Sequence, residues 1–253
     1  MKQPMQSLLE ASTEEPARSA KGKLISERRG KLLYQSEKPD LSIQEFSTNG
    51  LEEGKKRSRT GDVNALRNEI SCYLFEYLEG FRIPTHFVEG LSEAQMLVRR
   101  METIHLMIKI YNCATGVLTK RFGLKEGTPL EFPVMEHFYL PENRPAAWVN
   151  EYHVYAFGIA KAEEFKQINR AASKVNAVLR ALCDRRQLML ADLQLEFGRL
   201  KGQVVLGDEL SPMTCHFMDL AVSEKEGRDR FHPDQENAVS AFSELRDRLK
   251  LRV

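Results

Sequence analysis

An α+β fold of two lobes, a smaller one around an antiparallel sheet and a larger mixed one, is what this 253-residue sequence predicts. Three observations lead to it. Short alternating apolar runs, broken by turns rich in Gly, Pro and Asp, fill the first part and return after one helical stretch, which is the patterning of antiparallel strands. A long amphipathic segment over 161–186 then runs directly into a hairpin pattern. A helical segment over 236–251 closes the chain. This order predicts an extension over 1–22, a first lobe over 23–105 and a second over 106–253, with a cleft between them as the expected site.

Composition narrows the function classes. Thirty-seven Lys and Arg stand against 36 Asp and Glu, a net charge of +1, so no global field favours nucleic acid or an anionic membrane as partner. No apolar run approaches the roughly 18–20 residues a bilayer span needs, and the N-terminus lacks the apolar centre of a secretory signal. The expectation is a soluble, cytoplasmic protein. Cys72, Cys113, Cys183 and Cys215 are far apart and match no metal spacing, and no two of the six histidines share the i, i+4 spacing of a zinc protease. They read as buried or half-buried thiols and scattered imidazoles.

Taken in order, residues 1–21 are rich in Ser, Glu, Ala, Lys and Pro and read as a flexible extension. Residues 23–34 read as two strands around a basic turn, and 41–46 as a third strand after the turn at Lys38-Pro39-Asp40. The polar, glycine-bearing stretch 47–62 reads as a long loop. Leu66, Ile70, Tyr73, Leu74, Tyr77 and Leu78 predict a helix over 64–80 that stops at Gly80. Strands are expected at 85–89, 95–100 and 104–112, a short helix or bend at 119–122, loop at 123–133 and a turn at 141–145. In 161–186, Phe165, Ile168, Ala172, Val175, Val178, Leu179 and Leu182 share one face. A hairpin is expected over 189–209, and 212–227 reads as irregular.

That hairpin concentrates the acidic residues of interest. With a three-residue loop in which Gly202 supplies φ > 0, Arg199 faces Gln203, Glu196 lies opposite Leu206, and Asp208 sits one diagonal step from Glu196 on the same face. Diagonal neighbours are roughly 7–8 Å apart. Two such carboxylates can hold a hard cation completed by water and nucleotide phosphate. Spacing alone equally allows two acids on a solvated hairpin face.

Several stretches taken together resemble the SAICAR synthetase family. They are Lys-Pro-Asp-Leu at 38–41 with Gln-Glu-Phe at 44–46, Ile-Pro-Thr-His-Phe at 83–87, Met-Leu-Val-Arg-Arg at 96–100, the Leu-x-Lys-Arg-x-Gly-x-x-Glu-Gly run over 118–127, Val-Asn-Glu at 149–151, Leu-Glu-Phe-Gly at 195–198, Leu-Gly-Asp-Glu-Leu-Ser-Pro at 206–212 and Asp-Arg-Phe at 229–231. They occur in family order and cover the chain from Lys23 onward. The resemblance implies a two-lobed nucleotide-binding fold related to kinases and ATP-grasp enzymes. It also implies a reaction in which ATP activates a substrate carboxylate as an acyl phosphate that an amine, aspartate in that family, then attacks. Such phosphoryl transfer asks for positioning and charge neutralisation more than for a protein nucleophile. On this resemblance Glu196 and Asp208 hold Mg2+, Asp192 supports the same polar site, Arg29 and Lys31 take the nucleotide phosphates, and Arg99, Arg100 and Met101 form the connection that meets adenine. Without it, Arg28, Arg29 and Lys31 read as a solvated charge run.

The sequence departs from the family chiefly on the acceptor side. The Gly-Lys-Ala-Lys turn becomes Arg28-Arg29-Gly30-Lys31. The Arg-Asn-x-Ala-Ala-Gly-Ser segment that grips the sugar phosphate becomes Tyr111-Asn112-Cys113-Ala114-Thr115-Gly116-Val117, Ser-Pro-Asp-x-x-Arg becomes Ser211 to His216, and the arginine after Asp-Arg-Phe is His232. The acidic Asp-Asp-x-Thr loop becomes Ser47-Thr48-Asn49-Gly50, and no lysine stands near Val63 for the Gly-Lys-Gly segment. Each arginine–phosphate contact contributes about 1.5–3 kcal/mol, and a histidine with an ordinary pKa near 6.5 is mostly neutral at pH 7. The sequence therefore predicts an ATP- and Mg2+-dependent carboxylate–amine ligase with an altered acceptor, held by Tyr111, Asn112, Val117, His216 and His232. An ordinary SAICAR synthetase, a non-catalytic nucleotide-binding protein and a small-molecule kinase are the alternatives. A homo-oligomeric state is left open.

Overall fold

The computed structural model describes residues 21–47, 57–142, 144–222, 228–233 and 237–250; most of the expected extension and most of the expected loop at 47–62 lie outside them. Strands β1 (Leu24–Arg28), β2 (Lys31–Gln35), β3 (Leu41–Phe46), β4 (Phe87–Ser92) and β5 (Gln95–Arg99) form one antiparallel sheet in the order β1-β2-β3-β5-β4. Helix α1 (Arg57–Gly80) joins β3 to β4. The second sheet holds β6 (Glu102–Cys113), β7 (Pro129–Tyr139), β8 (Ala147–Val149), β9 (Leu188–Leu200) and β10 (Gln203–Gly207) in the order β10-β9-β6-β7-β8. Around it run α2 (Gly116–Phe122), α3 (Glu151–Ala156) and α4 (Ala162–Asp184), and α5 (Ala238–Lys250) closes the chain. The α+β reading holds.

Strand β9 is the spine of the second sheet. Of its 13 residues, Asp192 to Arg199 pair with β6 on one side. On the other side, Leu188 to Leu193 pair with β11 (Cys215–Asp219) and Glu196 to Leu200 with β10. Helix α4 lies against it, burying Phe165, Ile168, Ala172, Val175, Leu179 and Leu182. This is the face the sequence predicts, each large aliphatic or aromatic side chain contributing about 1.5–3 kcal/mol; Val178 is half-buried. At the start of α4 the Glu164 carboxylate accepts from the Lys161 amide at 2.8 Å and binds Arg199 of β9 at 2.6 Å, fixing helix to strand.

Several expectations change. The 189–209 hairpin closes through a two-residue loop, Lys201 (φ 50°) and Gly202 (φ 81°), so Leu200 pairs with Gln203 and Glu196 faces Gly207, not Leu206. Two consecutive positive φ values make a turn whose twist matches the flanking strands, which favours it over the three-residue loop. Arg29 (φ 47°) and Gly30 (φ 69°) close β1–β2 in the same way. Helix α1 begins at Arg57, inside the expected loop, and β7 begins at Pro129, inside another. The first part of β7 is exposed around Phe132, so no clean alternation marks it. Strand β11 lies in the stretch expected to be irregular; it is buried on nearly every residue and also lacks period-2 patterning. The short β8 and α3 carry no strong pattern either.

Candidate active site

The β1–β2 turn lays three cations over the end of the β9–β10 hairpin. Arg29 Nη1 donates to Glu196 Oε1 at 2.9 Å, and Arg28 Nη2 lies 3.5 Å from Glu196 Oε2. Lys31, buried, places Nζ 2.8 Å from Asp208 Oδ1 and 3.1 Å from Glu209 Oε2. Had β10 continued, Asp208 would point away from the Glu196 face. Its left-handed backbone, φ 64°, breaks the alternation and turns the carboxylate back toward Lys31.

The charges are balanced unevenly. Burial, followed by the neighbouring Asp208 charge, pushes the Glu196 carboxyl up to about 7 against the pull of Arg28, Arg29 and Lys31. Glu209 is held down to about 2: burial works against its charge, but Lys31 and Arg67 outweigh it, with the Ser211 hydroxyl donating at 2.6 Å. Burial is also the largest single influence on Lys31 and lowers its pKa, yet Asp208, Glu209 and Glu196 together raise it. Glu209 and its fully buried partner Arg67, at 2.8 Å, were not singled out from the sequence, since a lone arginine on a helix and an acid beside Asp208 carry no spacing signal.

Among the described residues no three His, Cys, Asp or Glu side chains converge as a metal site. Magnesium asks for less: one or two carboxylates, with water and nucleotide phosphate filling the remaining positions. Glu196 and Asp208 fit that donor set.

Behind these charges a narrow cavity of about 100 Å³ runs between the sheets, lined by Leu33, Ser42, Gln44, His86, Val98 and Met101 as well as Lys31, Glu196 and Asp208. Arg99, Arg100 and Met101, which link β5 to β6, all border it. The Arg99 guanidinium, however, is committed to the carbonyls of Phe87 (2.6 Å) and Thr85 (3.1 Å). The Met101 side chain packs where β9 and β10 carry glycine: a Cβ on Gly198 would lie 2.5 Å from Met101 Sδ and 2.8 Å from the Glu102 carbonyl oxygen.

A second cavity, about 530 Å³, opens on the same side of β9, nearer its start. Asp192 lies on its wall and uses both oxygens: Lys109 pairs with Oδ1, while the Thr115 hydroxyl (2.7 Å) and His216 Nδ1 (3.1 Å) meet Oδ2. These partners hold the carboxyl far below the usual range even though burial acts the other way. His216 Nε2 reaches Asp229 at 2.8 Å. Burial would lower the pKa of this imidazole, but the hydrogen bonds and charges of the two aspartates raise it to about 9. His216 is thus a cation at neutral pH, which replaces the expectation of a neutral ring. Tyr111, Val117, His216 and His232 all line this cavity. Asn112 does not: it is buried behind the strand, exchanging amide hydrogen bonds with Asn176 at 2.8 and 2.9 Å and donating to the Leu190 carbonyl. Alternation along β6 accounts for this, since Tyr111 and Asn112 must face opposite sides.

Two cavities along one side of β9, one bordered by Lys31, Glu196 and Asp208 and the other by Lys109, Asp192 and His216, are set in a chain whose relatives make it an ATP-dependent ligase that forms amide bonds. The sequence model of the SAICAR synthetase family matches residues 26–248, and the chain belongs to that family. It is 41% identical over 234 residues to the phosphoribosylaminoimidazole-succinocarboxamide synthase of Chloroherpeton thalassium, covering 90% of this chain and 98% of the relative. The synthase of Desulfitobacterium hafniense strain Y51 is 37% identical over 231 residues, 91% and 97% of the two chains. Among solved structures, the synthase from Ehrlichia chaffeensis superposes with a TM-score of 0.80 at 27% identity, covering 91% of this chain and all of that one. A SAICAR synthetase in complex with ADP gives 0.77 at 28% identity, with 89% and 97% covered.

Proposed function

We propose that this chain uses Mg-ATP to activate a carboxylate as an acyl phosphate and couples it to an amine, and that the reaction is the phosphoribosylaminoimidazole-succinocarboxamide synthesis for which its relatives are named. One observation carries the reading: the likeness to those synthases runs the length of both chains while the Glu196 and Asp208 pair stays set against Arg29 and Lys31. Arg29 and Lys31 bind the nucleotide phosphates, and their release from Glu196 and Asp208 leaves two hard oxygen donors for Mg2+, which would neutralise charge developing on the transferred phosphoryl group. Asp192, Lys109 and His216 hold the acceptor in the larger cavity, with aspartate as the amine of the proposed reaction.

The comparisons back this ordinary reaction over the altered acceptor predicted from sequence. One structural observation keeps the altered acceptor as a second reading: two of the three basic side chains of the larger cavity, Lys109 and His216, are already paired with Asp192 and Asp229, which reduces the positive charge offered to a sugar phosphate. Incubation with ATP, Mg2+, aspartate and the carboxyaminoimidazole ribonucleotide, following ADP and amide together, decides between them. Stoichiometric ADP and amide support the first reading. ADP release only with other acids supports the second, and no thermal stabilisation by millimolar Mg-ATP overturns both.

A further inference from the structure

Two polar side chains in the narrow cavity have no partner among the described residues. The Ser42 hydroxyl is fully buried, and both ring nitrogens of His86, a residue 3% exposed, are unsatisfied. Both residues line the same cleft. Neither is there by accident of flexibility. Ser42 sits mid-strand in β3, opposite Val98 of β5. His86 is fixed by its backbone, its amide donating to the Leu206 carbonyl at 2.8 Å and its carbonyl accepting from Arg99 at 2.6 Å, while its ring lies edge-on to Phe75 with centroids 5.1 Å apart. Burying such groups unpaired is unfavourable, and a folded chain rarely keeps two in one place without something to satisfy them.

Their position says what that is. The cleft that holds them is lined by charged groups, among them Arg28, Lys31, Glu196 and Asp208, and also by the apolar side chains of Leu33, Val98 and Met101, against which a flat ring can pack. A hydroxyl can donate and accept, and an uncharged imidazole offers one donor and one acceptor. Burial keeps His86 uncharged, its pKa lowered to about 4. We infer that Ser42 and His86 read the polar edge of the purine base of the bound nucleotide, making them specificity-determining residues of this cleft. The inference rests on the nucleotide reading above.

Calorimetric titration with ADP and with inosine diphosphate, whose base exchanges the 6-amino group for a carbonyl, tests it on the full chain, with thermal unfolding of the nucleotide-free protein alongside. Losing one neutral hydrogen bond corresponds to about a 3- to 10-fold weaker Kd. Ser42→Ala and His86→Phe are each expected to weaken ADP by that factor and to narrow the preference between the two diphosphates. Ser42→Thr, which keeps the hydroxyl, recovers the preference. The unliganded Ser42→Ala protein is expected to unfold at the same temperature or higher, because an unsatisfied group has been removed. If the wild type binds ADP and both variants bind it within twofold, or lose both diphosphates equally, the inference is overturned; a lowered melting temperature with unchanged ADP affinity, the mark of a purely structural role, overturns it as well. A wild type that takes up no ADP overturns the nucleotide assignment itself.

Discussion

Replacing His216 by glutamine should change how stability depends on pH, and the structure gives the size of the change. The imidazole is clamped between Asp192 (3.1 Å) and Asp229 (2.8 Å), with Lys109 on the other oxygen of Asp192, and its side chain is 17% exposed. Its pKa rises from 6.5 in the unfolded chain to about 9 in the folded one. Each pKa unit corresponds to 1.36 kcal/mol, so the difference is worth at most about 3 kcal/mol. Because the folded pKa is the higher, this stabilisation is fully present below pH 6.5 and is lost as pH climbs through 9. The depressed Asp192 carboxyl describes the same pairing from its other side and is not added to it. Urea denaturation at pH 6, 7, 8 and 9 reads the effect as the gap between wild type and His216→Gln. The gap should be widest at pH 6 and shrink by about 2–3 kcal/mol toward pH 9. Parallel curves across the range would show that the ring carries no extra proton in the folded state and would refute the reasoning.

Other perturbations follow from the same geometry. Asp208→Asn should abolish turnover while moving the melting temperature by only a few degrees, since Asn tolerates the left-handed backbone and Lys31 retains Glu209; undiminished turnover would remove the metal role from Asp208. Arg67→Met takes a fully buried cation from a buried carboxylate and should cost about 3–5 kcal/mol in urea unfolding, and a loss below 1 kcal/mol would show that Lys31 and Ser211 alone satisfy Glu209. Gly198→Ala should destabilise by about 1–3 kcal/mol, because the Met101 side chain can swing away but the Glu102 carbonyl cannot. Equal midpoints for Gly198→Ala and wild type would mean that β6 and β9 yield at that point.

What could be read from sequence was whatever repeats locally. The α4 face from Phe165 to Leu182 is a period-3.6 signal, and the basic turn at 28–31 is a contiguous one, so both were placed correctly. For Glu196 and Asp208, the three-residue loop that spacing predicts sets the register one step off, and the left-handed backbone of Asp208, invisible to pattern, turns its carboxylate back toward Lys31. Asn112 was grouped with Tyr111 because neighbours in sequence share a motif, although adjacent strand residues face opposite ways. Glu209, Arg67, Ser42 and His86 owe their importance to burial and to partners more than a hundred residues distant or to the lack of any, and neither property is local. The same is true of the His216 charge, which two aspartates from different parts of the chain create.

Strand β9 puts Asp192 on the wall of the larger cavity and Glu196 on the wall of the narrow one, four residues apart on one side of a strand that pairs with β6 throughout that interval. At roughly 3.3 Å per residue the interval is about 13 Å. That separation is set by covalent geometry and by the unbroken β6 ladder beside it, so it cannot stretch or contract. The distance between the Glu196 and Asp192 carboxylates therefore behaves as a gauge block between the two cavities. A single residue inserted between them would do more than lengthen it, turning one of the two acids to the far side of the sheet.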